Sequence, residues 1–357
     1  MKEKDMKSQV TMSHVTKGED AEIKVSKRKA SKRKILLIIV AVLFFIALLP
    51  YLIPLSKASD NPPETPYADS QFTQIDSVLL HYRLQKPEGQ QPLGRILLVH
   101  GLGGSTYSFN LTVPVLVDAG YEVLSVDLPG FGYSSRSTDF DHSQLSRAAL
   151  LWKLIDQIEE KDAAEIAEQE AGLASRWFLG GHSMGGGTVT GMAYLNPART
   201  QSVILFDGAL LETNQGSSGL LQIPPINRYV QVILERFVLT GKNFANILAS
   251  AYGTTPSTDA VRAYAEPLQL PGTARSALGF LRTSGNLPVE KLSEIDVSFY
   301  GIWGREDTWV PFTQTDELAR HLQNFTFTGI EGAYHCPMET HSDEFNEILL
   351  AYLETFG

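Results

Sequence analysis

The five residues Gly181-His182-Ser183-Met184-Gly185 constrain this chain more than any other stretch. They follow the strand-like Trp177-Phe178-Leu179 and open a helical pattern over Met184–Tyr194. A turn that tight between strand and helix leaves no room for Cβ atoms at its flanks, and Gly181 and Gly185 remove them. Ser183 is thrust into the open at a helix amino terminus, where developing negative charge is favoured. A strand that ends where a helix begins is the repeating unit of an α/β sheet.

The rest of the body repeats that unit. Strands are expected at Phe72–Ile75, Val78–Leu84, Arg95–Val99, Glu122–Val126, Trp177–Gly180, Ser202–Phe206, Val297–Ile302 and Asn324–Gly329. The fully apolar runs fit strands buried on both faces. Helical patterns lie between them, as at His142–Glu160, with the Ala/Glu-rich Lys161–Ser175 extending that helix. The alternation implies a mostly parallel sheet with helices on both faces. Residues 211–291 interrupt it with polar, Gly-rich turn material and amphipathic patterns such as Tyr229–Leu239, and read as a helical cap.

A serine hydroxyl needs a base, and the base needs an orienting acid. Two later segments, Trp303-Gly304-Arg305-Glu306-Asp307 and Gly332-Ala333-Tyr334-His335, each follow an expected strand. Both therefore fall at the carboxyl edge of the sheet, where ligands of open α/β sheets bind. Asp307 is the expected acid, placed by the following Thr-Trp-Val-Pro on a turn into the next helix, with Glu306 as its neighbouring competitor. His335 is the expected base, with His341 as competitor at the start of the final helix. His182 packs beside the serine turn. His81, His142 and His321 stand in no motif. The third element is His100-Gly101-Leu102-Gly103-Gly104, a glycine-rich turn after a central strand. By position the backbone amides of Leu102 and Met184 are the expected oxyanion donors, each worth roughly 3 kcal/mol in a transition state. Asp127, in Asp127-Leu-Pro-Gly130-Phe-Gly132-Tyr-Ser134, reads as structural. Cys336, the single cysteine, reads as a packing residue.

These motifs together (HGLGG at 100–104, DLPGFGYS at 127–134, GHSMGG at 181–186, WGREDTWVP at 303–311 and GAYHCPMET at 332–340) closely resemble the α/β-hydrolase superfamily from about residue 72 to the end. The resemblance implies an eight-stranded, mostly parallel sheet with a cap after strand six. It implies attack by Ser183 on a carbonyl, an acyl-enzyme, and hydrolysis by water activated by His335. Epoxide hydrolases and haloalkane dehalogenases of this superfamily use an aspartate nucleophile, so serine argues against both. Esterases, monoacylglycerol lipases, carbon–carbon bond hydrolases and cofactor-free haloperoxidases remain. The expectation is a carboxylic-ester hydrolase. A carbon–carbon hydrolase or perhydrolase is the alternative, and a catalytically silent binding protein a third reading. Many relatives carry Gly-His at the base; Tyr334 here is expected to narrow the pocket.

The amino-terminal segment is of another kind. Ile35–Ile53 carries no charge and is long enough to cross a bilayer as a helix. Residues 1–34 hold 11 Lys+Arg against 5 Asp+Glu, while the remainder holds 19 against 35. The positive flank predicts a cytoplasmic amino terminus (1–34), an anchor (35–53), a Pro/Ser/Asp-rich linker (54–70) and an external hydrolase domain (71–357). A cleaved signal peptide is the rival reading, with Ser56-Lys57-Ala58-Ser59 only a loose cleavage match. An acidic body is a poor surface for nucleic acid. A G-x-G-x-x-G with its downstream acid is missing, as is any His/Cys cluster of metal-ligand spacing, so neither cofactor nor metal is expected. The expected substrate is a small or lipid-derived acyl ester.

Overall fold

A computed structural model describes residues 32–56, 64–65, 67–136, 140–165, 176–211, 218–239 and 241–356. Most of the basic tail, about half of the linker, the Ala/Glu-rich stretch beyond Glu165 and the polar opening of the cap lie outside the described residues.

The chain divides into two units, Met1–Pro54 and Leu55–Gly357. In the first, helix α1 spans Lys32–Leu52 and is long and apolar enough to cross a membrane by length and composition. Its side chains are exposed along its length, Leu37 by 68% and Phe44 by 64%, so no core of its own unit accounts for them.

The second unit is built on an eight-stranded sheet in the order β1-β2-β4-β3-β5-β6-β7-β8. The strands are β1 (Ser70–Ile75), β2 (Val78–Gln85), β3 (Gly94–Val99), β4 (Tyr121–Val126), β5 (Trp177–His182), β6 (Thr200–Phe206), β7 (Ser298–Gly304) and β8 (Phe325–Ile330). Strands β1 and β2 pair antiparallel, β2 meets β4 antiparallel, and every other pairing is parallel. Each expected strand is present, its ends displaced by no more than two residues.

The pleat explains why the central runs are apolar throughout. On β3, Leu97 and Val99 enter one core while Ile96 and Leu98 enter the other. The first core is closed by α3 (Gln144–Glu165) and α4 (Met184–Leu195), and α10 (Gln314–His321) adds Leu318. The second is closed by α2 (Val113–Asp118) and α12 (Ser342–Leu353), which follows the short α11 (Pro337–Thr340). Strands β4 and β5 are buried at every position. Each parallel strand therefore delivers its carboxyl end to one rim, fixed from both faces.

Between β6 and β7 the chain leaves the sheet and, among the described residues, forms five α-helices: α5 (Ser218–Leu221), α6 (Pro224–Ile233), α7 (Gly241–Tyr252), α8 (Thr258–Leu268) and α9 (Thr273–Thr283). A π-helical turn, Leu234–Val238, prolongs α6. Phe244, Ile247, Leu248 and Ala251 of α7 recur at the spacing of one helix face and turn toward a cavity above the rim.

Candidate active site

Ser183 stands between β5 and α4 with φ 50° and ψ −117°, a conformation costly for any residue with a Cβ. The surroundings hold it there. Its amide donates to the Phe206 carbonyl at 2.9 Å, and its carbonyl accepts from Gly186 at 2.9 Å and Ala209 at 3.0 Å. A Cβ at Gly181 would lie 2.5 Å from the Gly185 backbone, and one at Gly185 would lie 2.1 Å from the Val99 carbonyl oxygen. The two glycines thus let the turn close and let α4 descend onto β3.

Asp307 and His335 arrive from the ends of β7 and β8. Asp307 Oδ2 lies 2.7 Å from His335 Nδ1. Asp307 Oδ1 accepts from the amides of Trp309 at 2.7 Å and Val310 at 3.1 Å. Burial alone would raise this carboxyl, but the imidazole's hydrogen bond and charge, with the two amides, hold it below the ordinary carboxylate range. The Trp309 ring stacks on the imidazole at 5.2 Å, fixing its plane. With Nδ1 committed to Asp307, Nε2 is the nitrogen left for Ser183. Ser183 and His335 line the same cavity. His182 Nε2 donates to the His335 carbonyl at 2.7 Å, so the residue before the serine also holds the histidine's backbone. Burial lowers His182 to about 3, so it stays neutral in that role.

The two competitors stand outside that contact. Glu306 is exposed, with its amide bound to the Ala333 carbonyl. His341 is half-buried at the start of α12, with Nδ1 3.0 Å from Thr340 Oγ1. Asp127 is buried as a hub: it meets His81 Nδ1 at 2.7 Å and accepts from the amides of Thr106 and Tyr133, each at 2.7 Å. His81, which no motif singles out, thereby ties β2 to the loop after β4.

The glycine-rich turn after β3 is closed by the Gly104 amide donating to the Gly101 carbonyl at 3.0 Å, which leaves the Leu102 amide out of that bond. Met184 begins α4, so its amide is one of the four at a helix start without an intrahelical partner. Gly103 takes φ +75°, and a Cβ on Gly101 would lie 2.7 Å from His182 Nδ1. Leu102 and Met184 both line the cavity, whose volume is about 450 Å³ and whose wall is largely apolar. Tyr334 is not part of that wall: its ring fills the space over Gly253, where a Cβ would meet it at 2.0 Å, so the expected narrowing does not occur. Cys336 is in the wall and 4% exposed, with burial raising its thiol well above the ordinary value. A neutral thiol there packs and does not attack.

Two groups escape a motif-led reading. Asp207, just past β6, has φ 47° and is fully buried; its Oδ1 accepts from the Gly304 amide at 2.9 Å. Donor atoms of Asp207, Asp307 and His335 all lie within 4.8 Å of one another. Burial, and then the charge of Asp307, raise the Asp207 carboxyl well above the ordinary range, so it keeps a proton beside Asp307. These three are the one cluster among the described residues whose donors could ligate a cation, yet the 2.7 Å Asp307–His335 contact leaves no room for an ion between them. Position at a strand's carboxyl end is the signal that finds Asp207, the same one that marks Asp307.

The second is Glu339 on α11, which accepts from Tyr252 and Tyr264 of the cap, each at 2.5 Å, while Ser108 Oγ lies 2.8 Å from the Tyr264 hydroxyl. Burial raises Glu339 from 4.5 to about 7, against the pull of the two tyrosines. The folded chain thus keeps a proton that the unfolded chain loses near 4.5, so stability falls as pH rises through that window. Glu339→Gln keeps a neutral acceptor for the tyrosines, and its melting temperature is expected to fall less than the wild type's from pH 4.5 to about 7. Parallel melting curves across that range would refute the assignment.

Comparison with known proteins identifies the family. The sequence profile of the alpha/beta hydrolase family matches residues 96–348. An uncharacterized hydrolase, YugF of Bacillus subtilis (strain 168), is 25% identical over 283 residues, covering 78% of this chain and 96% of that protein. The 2-hydroxy-6-oxononadienedioate/2-hydroxy-6-oxononatrienedioate hydrolase of Escherichia coli (strain K12) is 25% identical over 306 residues, covering 82% and 98%. A membrane phospholipase A described as a bacterial virulence factor shares the fold with TM-score 0.61 and 21% identity, over 92% of this chain and 98% of that one. The chain is a hydrolytic enzyme of the alpha/beta hydrolase family.

Proposed function

We propose that this enzyme hydrolyses carboxylic esters through an acyl-enzyme on Ser183. The observation that carries the reading is the strained Ser183 turn beside the 2.7 Å Asp307–His335 pair, both at one capped, mostly apolar cavity. In this reading His335 Nε2 takes the hydroxyl proton as Ser183 Oγ attacks the carbonyl, and Asp307 holds the imidazole in the needed tautomer. The Leu102 and Met184 amides stabilise the oxyanion. The imidazolium returns its proton to the leaving oxygen, and water then repeats the sequence on the acyl-enzyme.

The residue types serve ester cleavage and carbon–carbon cleavage alike. The second reading is favoured by the Escherichia coli relative, whose name gives it a dienedioate substrate. We also read α1 as an uncleaved anchor with the amino terminus cytoplasmic and the hydrolase domain outside, on the strength of its length, its exposed apolar surface and its basic flank. A p-nitrophenyl ester series of rising chain length, beside vinylogous diketones, tests the chemistry. Turnover of esters with a chain-length optimum is expected. Turnover of the diketones alone would transfer the assignment to carbon–carbon cleavage.

A further inference from the structure

Among the described residues, the wall of the catalytic cavity holds one permanently charged side chain, Arg147, and no carboxylate. Arg147 lies on α3 and is 2% exposed. Its Nε donates to Thr188 Oγ1 at 2.9 Å and its Nη1 donates to the His142 carbonyl. Neither acceptor is charged. The acid that bears on it, Asp141, is engaged with Ser143 and Ser146 and makes no ion pair with it. Burial lowers its pKa to about 10, so the guanidinium remains a cation at neutral pH. Its face is covered by Phe280, with the guanidinium carbon 5.6 Å from the ring centre.

A buried charge is costly unless an opposite charge meets it. Partly buried arginines have such partners, Arg83 with Asp69 and Arg199 with Asp156 and Glu159, while the other deeply buried one, Arg136, spends Nε, Nη1 and Nη2 on Thr273 and four backbone carbonyls. Arg147 is clamped by two neutral acceptors that fix its plane through Nε and Nη1, its Nη2 makes no hydrogen bond among the described residues, and the side chain lines the cavity. A rigid guanidinium at the wall of an apolar pocket suits a carboxylate, whose oxygens accept charge-assisted hydrogen bonds. Thr188, which holds Nε, stands five residues along α4 from Ser183, an advance of about 7.5 Å. Arg147 and Ser183 line one cavity from supports separated by that advance along α4, a spacing that suits the two ends of a short acyl chain.

We propose that Arg147 anchors a carboxylate at the end of the substrate remote from the reacting carbonyl, so that the preferred substrates are acyl compounds with a second, anionic terminus. The proposal rests on Ser183 as nucleophile. It adds that the substrate is a half-ester of a diacid or a keto-acid of like shape, in place of a neutral lipid ester.

The test compares p-nitrophenyl half-esters of succinate, glutarate and adipate with p-nitrophenyl esters of the uncharged acids of equal length, using the full chain in neutral detergent. The wild type is expected to favour the best half-ester by about 10- to 100-fold in kcat/KM, chiefly through KM. Arg147→Met is expected to erase that preference by lowering kcat/KM on the half-esters about 10- to 100-fold more than on the neutral esters, and Arg147→Lys to keep part of it. Equal loss on both series would make Arg147 a structural clamp and overturn the proposal, as would a wild type indifferent to the charge. Calorimetry of adipate and of its neutral diamide on the Ser183→Ala protein needs no turnover. Adipate binding that vanishes with Arg147→Met upholds the anchor even where every ester is refused, in which case the ester reading alone fails. Cleavage of neutral esters without adipate binding sinks the anchor alone.

Discussion

Ser183→Ala is expected to lower kcat by a factor on the order of 10⁵ to 10⁶ while leaving the protein folded. In the proposed mechanism the loss is large because the nucleophile is removed and the rest of the machinery has nothing to activate. The fold should survive because the strained turn is held by backbone bonds to Phe206, Gly186 and Ala209, which alanine keeps. Alanine also meets the same positive φ as serine, so the strain is unchanged. Any residual rate over water would come from the oxyanion donors and binding. Steady-state turnover beside thermal melting checks both halves. Turnover persisting in a folded, purified variant would sink the assignment of Ser183.

That the serine can be found without coordinates follows from local sterics. Gly181 and Gly185 leave a signature because no larger residue fits where Gly185 meets Val99. Strands β3 to β6 are legible because burial on both faces makes them apolar, and a run such as Ile96–Val99 is too short for a helix and too apolar for a surface loop. His335 and Asp307 are legible through their position after strands. Contacts between distant segments carry no such mark. Nothing near Asp207 in the chain announces that Gly304 and Asp307 will enclose it, or that it will hold a proton. Glu339 reads as an ordinary helical acid until Tyr252 and Tyr264 come down from the cap. Arg147 lies in a helix where an arginine usually reaches solvent, and it is the packing of α3 on α4, with Phe280 of α9 over the guanidinium, that buries it. Tyr334 misleads about pocket width because Gly253, far off in sequence, leaves the space its ring takes.

Asp307→Asn should cost about 10⁴-fold in kcat, because an amide can donate to Nδ1 and so stabilise the wrong imidazole tautomer. Here the outcome has a further turn, since Asp207 lies in the same cluster, within 4.8 Å. Asp207 is kept protonated by burial first and by the charge of Asp307 second. Asparagine removes that second cause, so Asp207 gives up its proton more readily in the variant. Ionised, it becomes an acceptor beside His335 and can restore part of the lost orientation. A carboxyl ionises as pH rises, so the residual activity of Asp307→Asn should climb with pH more steeply than the wild type's. Adding Asp207→Asn should abolish that climb. Alone, Asp207→Asn keeps a neutral side chain of the same shape beside Asp307 and should cost far less than Asp307→Asn. If instead Asp207→Asn is the more damaging of the two, the orienting acid comes from the end of β6 and the role given to Asp307 passes to Asp207.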